Sequence, residues 1–164
     1  MTGSGPPAPG LYAFEAVLHR RPPDAAAGGR HTDEWGAWPT LAVSREALSE
    51  PLALGFDEAV ERLAHLPRMF VEPDGSFVWT SPAADRAWQV DGNLFERAGR
   101  VLLVDLKGSC PAAEFDRLLA AFGWPDEALM MGLVRAAVFL DEATFRRHAA
   151  ARGAAGDGQT LRPR

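Results

Sequence analysis

Residues 11–18 (LYAFEAVL) alternate, with Tyr12, Phe14, Ala16 and Leu18 on one side and Leu11, Ala13, Glu15 and Val17 on the other. A period of two predicts a first strand. The next stretch, 20–39, contains Pro22, Pro23, Gly28 and Gly29 before it ends in two tryptophans, and those breakers predict a long loop. A short strand is expected at Thr40–Val43, and Ser44 is placed to cap a brief helix that stops before Pro51. Phe56, Val60 and Leu63 then mark the apolar stripe of a second helix closed by Pro67.

The middle of the chain returns to a period of two. Asp74-Gly75 and Asp91-Gly92 sit between short β-like runs, as does Ala98-Gly99, so each pair is expected to make a hairpin turn. The strands expected here are Met69–Glu72, Phe77–Thr80, Arg86–Val90, Asn93–Arg97 and Arg100–Leu106, with Phe77 and Trp79 sharing a face, as do Trp88 and Val90. After Lys107-Gly108 the period becomes 3.6: Phe115, Leu118, Leu119 and Phe122 form one stripe, opened by Pro111 and closed by Gly123. Periodicity does not decide between helix and strand across 124–140. A last helix is expected from Asp141, with Leu140 set to pack on Phe145.

These elements predict an α+β fold, an antiparallel β-meander of about five to six strands with helices packed on one face. Residues 1–10 and 151–164 are rich in Gly, Pro and Ala and poor in large apolar side chains, so they are expected to be a disordered N-terminal arm and a disordered basic C-terminal tail. A single domain is expected over 11–150. The length of 164 residues fits one domain with a real core.

Composition changes the picture in two respects. Alanine is used 29 times, arginine 16 times and isoleucine never, and Lys107 is the only lysine, a bias that points to GC-rich coding and a bacterial source. Arginine content is therefore no sign of phosphate recognition. The formal charge is −5, and since Arg152, Arg162 and Arg164 against Asp157 give 151–164 a charge of +2, the remainder carries −7. Such a balance repels polyanions, so no nucleic-acid partner is expected. The least polar stretch, 128–140, is broken by Arg135 and falls short of a membrane span, and a cytoplasmic location is the expectation.

Candidate chemistry is sparse. Cys110 stands alone, which excludes an internal disulfide and a cysteine-cluster metal site. Its setting, Lys107-Gly108-Ser109-Cys110-Pro111, joins a strand to a helix and would place the thiol at a helix N-terminus beside a cation, features that lower a thiol pKa. Cys110 is thus the one weak catalytic candidate. The opposing reading is a small buried apolar residue. His19, His31, His65 and His148 show no metal-ligand spacing, and neither a metal nor a cofactor is expected. No glycine-rich phosphate loop, GxSxG elbow or dinucleotide fingerprint is present. Two indoles in a Gly/Pro-rich loop, Trp35 and Trp38, are costly to leave in water, so they are the candidate contact for a protein partner.

The segment 101–125 (VLLVDLKGSCPAAEFDRLLAAFGWP) resembles the opening of the barstar family, a strand leading to a helix with a Phe/Leu stripe and then a Gly-aromatic-Pro turn. The resemblance implies an acidic helix after Pro125, but Asp126-Glu127-Ala128-Leu129-Met130-Met131 departs from that family's pattern, so no functional residue is carried over. The leading expectation is a non-catalytic protein-interaction domain. The alternatives are a small enzyme or ligand-binding domain using Cys110 or a pocket carboxylate, and an acidic inhibitor or immunity-type protein steered to a basic partner.

Overall fold

In the computed structural model, which describes residues 10–82 and 87–156, the alternating run at the start of the chain is strand β1 (Leu11–Arg20), in the middle of one sheet. The hairpin β2 (Ala26–Asp33) and β3 (Gly36–Ala42) follows, then a 3-10 turn (Glu46–Ser49) and helix α1 (Phe56–Ala64). Strands β4 (Met69–Val71), β5 (Ser76–Thr80), β6 (Gln89–Arg97) and β7 (Arg100–Pro111) lead into α2 (Ala112–Ala121). The hairpin β8 (Leu129–Leu133) and β9 (Val138–Asp141) precedes α3 (Glu142–Ala154). The order across the sheet is β2-β3-β9-β8-β1-β7-β6-β5-β4, with every neighbouring pair antiparallel.

The α+β class expected from the sequence holds, but the sheet has nine strands rather than five to six. Two additions come from segments without clear β pattern. The stretch 20–39 is not a long loop: it carries β2 and the start of β3, and Gly28-Gly29 falls at a bulge between Ala27 and Arg30. The undecided stretch 124–140 is a hairpin, so the segment after Pro125 is strand β8 and not the helix implied by the barstar resemblance. One expected turn is absent, because β6 runs straight through Asp91-Gly92. The ring of Phe77 lies against Gly92, and a methyl group there would overlap it. Gly92 is glycine for its cross-strand neighbour, not for a bend.

Other expectations are met. Asp74-Gly75 and Ala98-Gly99 turn their hairpins, with Gly75 at φ 95°, Ala98 at 53° and Gly99 at 77°. Asp141 caps α3, its side chain accepting from Thr144 N at 2.7 Å, and Leu140 and Phe145 are both buried beside that cap. Helix α3 continues to Ala154, beyond the expected domain end at 150. The readings of 1–9 and 157–164 as arms, and of Arg86 as the start of a strand, lie outside the described residues.

Register places the core on one side of the sheet. Met69, Trp79, Val90, Gly108 and Phe14 form a row across β4-β5-β6-β7-β1, and Leu94, Val104, Leu18, Met131 and Leu140 form another across β6-β7-β1-β8-β9. These rows meet Leu63 of α1, Phe115, Leu118 and Leu119 of α2, and Phe145 and Ala149 of α3 in one buried cluster. Each large side chain so enclosed contributes about 2 kcal/mol, so the helix-covered side supplies the apolar stability of the fold. On the opposite side Ala13, Ser109, His19 and Met130 are buried as well, while most positions on β4–β7 are half-buried or exposed.

Candidate functional site

Three places emerge from the fold: the Trp35–Trp38 hairpin, the neighbourhood of Cys110, and the sheet face away from the helices. Asp33 ends β2, and its Oδ1 accepts from Trp35 N at 2.9 Å, which shapes the two-residue turn into Gly36, where φ is 146°. The same oxygen accepts from Trp38 Nε1 at 3.0 Å. Its Oδ2 accepts from His148 Nε2 of α3 at 2.8 Å, with His31 Nε2 3.4 Å away. Both indoles lie edge-on to the His148 ring, at 5.5 Å for Trp35 and 5.1 Å for Trp38, and the Arg152 guanidinium stands 5.0 Å over Trp35.

The two tryptophans therefore face inward around a histidine. Trp38 is buried and Trp35 half-buried. An ionised carboxylate only accepts, so Nε2 of His148 carries the proton, and Nδ1 is buried without a hydrogen-bond partner among the described residues. Burial lowers the pKa of His148, against the opposing pull of Asp33. Partial burial pushes Asp33 up, but the hydrogen bonds from Trp38, His148 and Trp35 outweigh it and hold the carboxyl below its ordinary range. The pair resembles a base and its orienting acid in layout, yet His148 is only 2% exposed and, among the described residues, no nucleophile is hydrogen-bonded to it. Its geometry is that of a fastening.

Cys110 is fully buried near the end of β7, cross-strand from Tyr12 and two residues before α2 begins. Burial pushes its thiol far up, Glu114 adds to the shift, and Arg146 opposes it. That is the reverse of what an attacking thiolate needs. Lys107, the cation that the sequence placed beside it, is exposed and projects from the opposite face of the strand. Arg146 is the cation on the thiol's side, and it is already engaged: it bonds Glu142 at 2.7 Å and Asp116 at 2.6 Å, with the Phe115 and Trp124 rings 5.2 and 5.0 Å from its guanidinium carbon.

On the sheet face away from the helices, register sets Phe70, Val78, Asp91, Lys107 and Glu15 in one row across β4-β5-β6-β7-β1, with Val134 just beyond β8. A second row holds Ser76, Asn93, Asp105 and Val17, and beside it Phe95 faces Leu103. The exposed large apolar side chains among the described residues are Phe70 (65%), Val78 (37%), Phe95 (42%) and Val134 (48%), and all four belong to this face. A groove of about 390 Å³ runs along it, lined by Glu15, Val17, Asp91, Asp105, Lys107 and Val134. Asp105 stays exposed, and partial desolvation raises its carboxyl pKa. The sequence gives Lys107 and Asp91 other roles and does not group these residues as a surface, although the alternation that puts Phe77 and Trp79 on one side also puts Val78 on the other.

Among the described residues, no group of three or more His, Cys, Asp or Glu is placed to hold a metal ion, and no helix is long and apolar enough to cross a membrane. Comparison with protein-family models, curated proteins and solved structures finds no match.

Proposed function

We propose that this chain is a non-catalytic protein-interaction domain that engages its partner through the sheet face its own helices leave uncovered. The observation that carries this reading is the gathering of Phe70, Val78, Phe95 and Val134 on that one face. Scattered exposed apolar side chains need no explanation, whereas a group of them flanking a groove is the usual mark of a binding surface. An α+β layer buries one side of its sheet with its own helices, and a partner that covers the other side completes a third layer. Trp35 and Trp38 enter this reading as the fastening of the β2–β3 hairpin and not as the contact itself.

The test is site-specific photo-crosslinking in the cells that make the protein. A benzophenone amino acid replaces Val78 or Phe95 on the uncovered face, and Glu61 on the exposed side of α1 as the comparison. The expected result is one adduct, the same partner by mass spectrometry, from Val78 and Phe95 and none from Glu61. Adducts from Glu61 alone, or none from either sheet position, would overturn the reading.

A further inference from the structure

We propose that the partner element seated on this face is a basic amphipathic helix, one arginine or lysine of which lies over Glu15, Asp91 and Asp105 while apolar neighbours cover Phe70, Val78 and Phe95. This deepens the interaction reading and rests on it. Charge, dimensions and layer architecture carry it together.

The groove sets three carboxylates, Glu15, Asp91 and Asp105, against the single ammonium of Lys107. Lys107 is bracketed cross-strand by Glu15 on β1 and Asp91 on β6, so it has two acidic neighbours of its own. Asp105 is bracketed by Val17 and Asn93, and no cation stands opposite it. None of these four side chains forms an ion pair among the described residues, and the one hydrogen bond recorded for them is from Gln89 Nε2 to Asp91 at 2.8 Å. Desolvation already raises Asp105, and a partner that excludes more water raises the cost of its charge unless it brings a cation. An acidic or purely apolar occupant would leave the three carboxylates covered and unpaired, so the surface selects a positive one.

The dimensions of the face suit a helix. The row from Phe70 on β4 to Glu15 on β1 crosses four interstrand spacings, about 19 Å at the usual 4.8 Å each. About 13 residues of α-helix, close to four turns, span that distance. Phe70 and Val78 take the β4–β5 end of the row and Val134 lies just beyond its β1 end, with Asp91 and Glu15 between them and Asp105 in the next row, which an amphipathic helix matches with one cation flanked by apolar residues a turn or two away. A β-strand partner would instead add to the edge at β2 or β4 and leave this face untouched.

The experiment is a ¹H-¹⁵N NMR titration of the full chain with three capped 14-residue helical peptides that share a leucine stripe and carry arginine, glutamine or glutamate at the same central positions. The arginine peptide is expected to bind tightest, with shifts concentrated at Val17, Val78, Phe95 and Asp105. The substitutions Asp105→Asn and Glu15→Gln, which keep side-chain shape, are expected to weaken it about ten-fold together, and raising the salt is expected to do the same. Equal or tighter binding of the glutamate peptide at this face overturns the basic-helix proposal while leaving the face as an interaction surface. Shifts confined to β2, β4 or the outer sides of the helices overturn the proposal and count against the face as well. If no peptide binds, the proposal is overturned, and the crosslinking from Val78 and Phe95 decides the broader reading by itself.

Discussion

His148 in α3 donates from Nε2 to Asp33 Oδ2 at 2.8 Å, joining residues 115 positions apart and tying the last helix to the turn of an edge hairpin. Strand pairing adds little to hold the hairpin on the sheet. Strand β2 is the sheet edge, and β3 meets β9 at the single pair Leu41–Phe139. Edge strands of Ala and Gly have weak β propensity, so here tertiary contact supplies the order that local sequence does not.

Acid should loosen this fastening. His148 has its pKa lowered in the folded state by burial from an ordinary 6.5, so the unfolded chain binds the proton more readily. Stability is therefore full above about pH 6.5 and falls as pH drops toward the lowered folded value. His19, also lowered by burial, acts with the same sign. Asp33, held below its ordinary 3.8, adds a further loss only when pH falls below that value. The expected outcome is a urea midpoint that declines from pH 7 to 5, with imidazole NMR signals of His148 titrating below 6.5. A His148 resonance that titrates at or above 6.5 would contradict the enclosed geometry.

Removing the acceptor is a sharper test of the same contact. Asp33→Ala leaves the buried Nε1 of Trp38 and Nε2 of His148 without their acceptor, at a cost of about 2–3 kcal/mol. Amide exchange should accelerate across Ala26–Ala42 far more than across β7, which lies between β1 and β6. Equal acceleration in both would mean that the hairpin and the sheet open as one unit.

The same contacts explain what could be read from the sequence. Where alternation was backed by a local turn, as at Asp74-Gly75 and Ala98-Gly99, strands and register followed from neighbours a few residues apart. Asp91-Gly92 has the same dipeptide chemistry but serves a cross-strand ring, Phe77, which no local pattern reveals. The β2–β3 hairpin is specified by Asp33, Trp35, Trp38 and His148, of which only the tryptophans stand out in the sequence. Local sequence does not show that Trp38 is buried, and Trp35 half-buried, within the molecule itself. The uncovered face was legible in outline, since Val78, Asp91, Lys107 and Glu15 alternate with core residues, yet grouping them required the register.

Close approach makes a second set of glycines indispensable. A methyl group at Gly108, where φ is 142°, would overlap the carbonyl oxygen of Gln89, and one at Gly153 would overlap that of Leu11, where the end of α3 abuts β1. Backbone atoms cannot retreat as a flexible side chain does. Gly108→Ala and Gly153→Ala are each expected to cost about 3 kcal/mol or more, or to prevent folding. Gly99→Ala meets nothing within 4 Å and bears only the strain of its φ of 77°, so about 1 kcal/mol is expected. Thermal melts of the three variants check the ranking, and a Gly153→Ala protein as stable as Gly99→Ala would contradict the abutment.

Cys110 gives the last prediction, because its chemistry and its burial point in opposite directions. A thiol at a strand-to-helix junction is a candidate nucleophile on sequence grounds, but here it is fully enclosed near Tyr12 and Arg146, with its ionisation suppressed by burial. Reaction with a thiol-specific aromatic disulfide reagent at pH 8 should then require unfolding, and the labelling rate should track stability as urea is added below the transition. Cys110→Ala, which leaves a small void, is expected to cost about 1 kcal/mol, and Cys110→Ser somewhat more, since its hydroxyl would be buried without an assured partner. Fast labelling of the native protein, independent of urea, would show an accessible thiolate and return Cys110 to consideration as a reactive group.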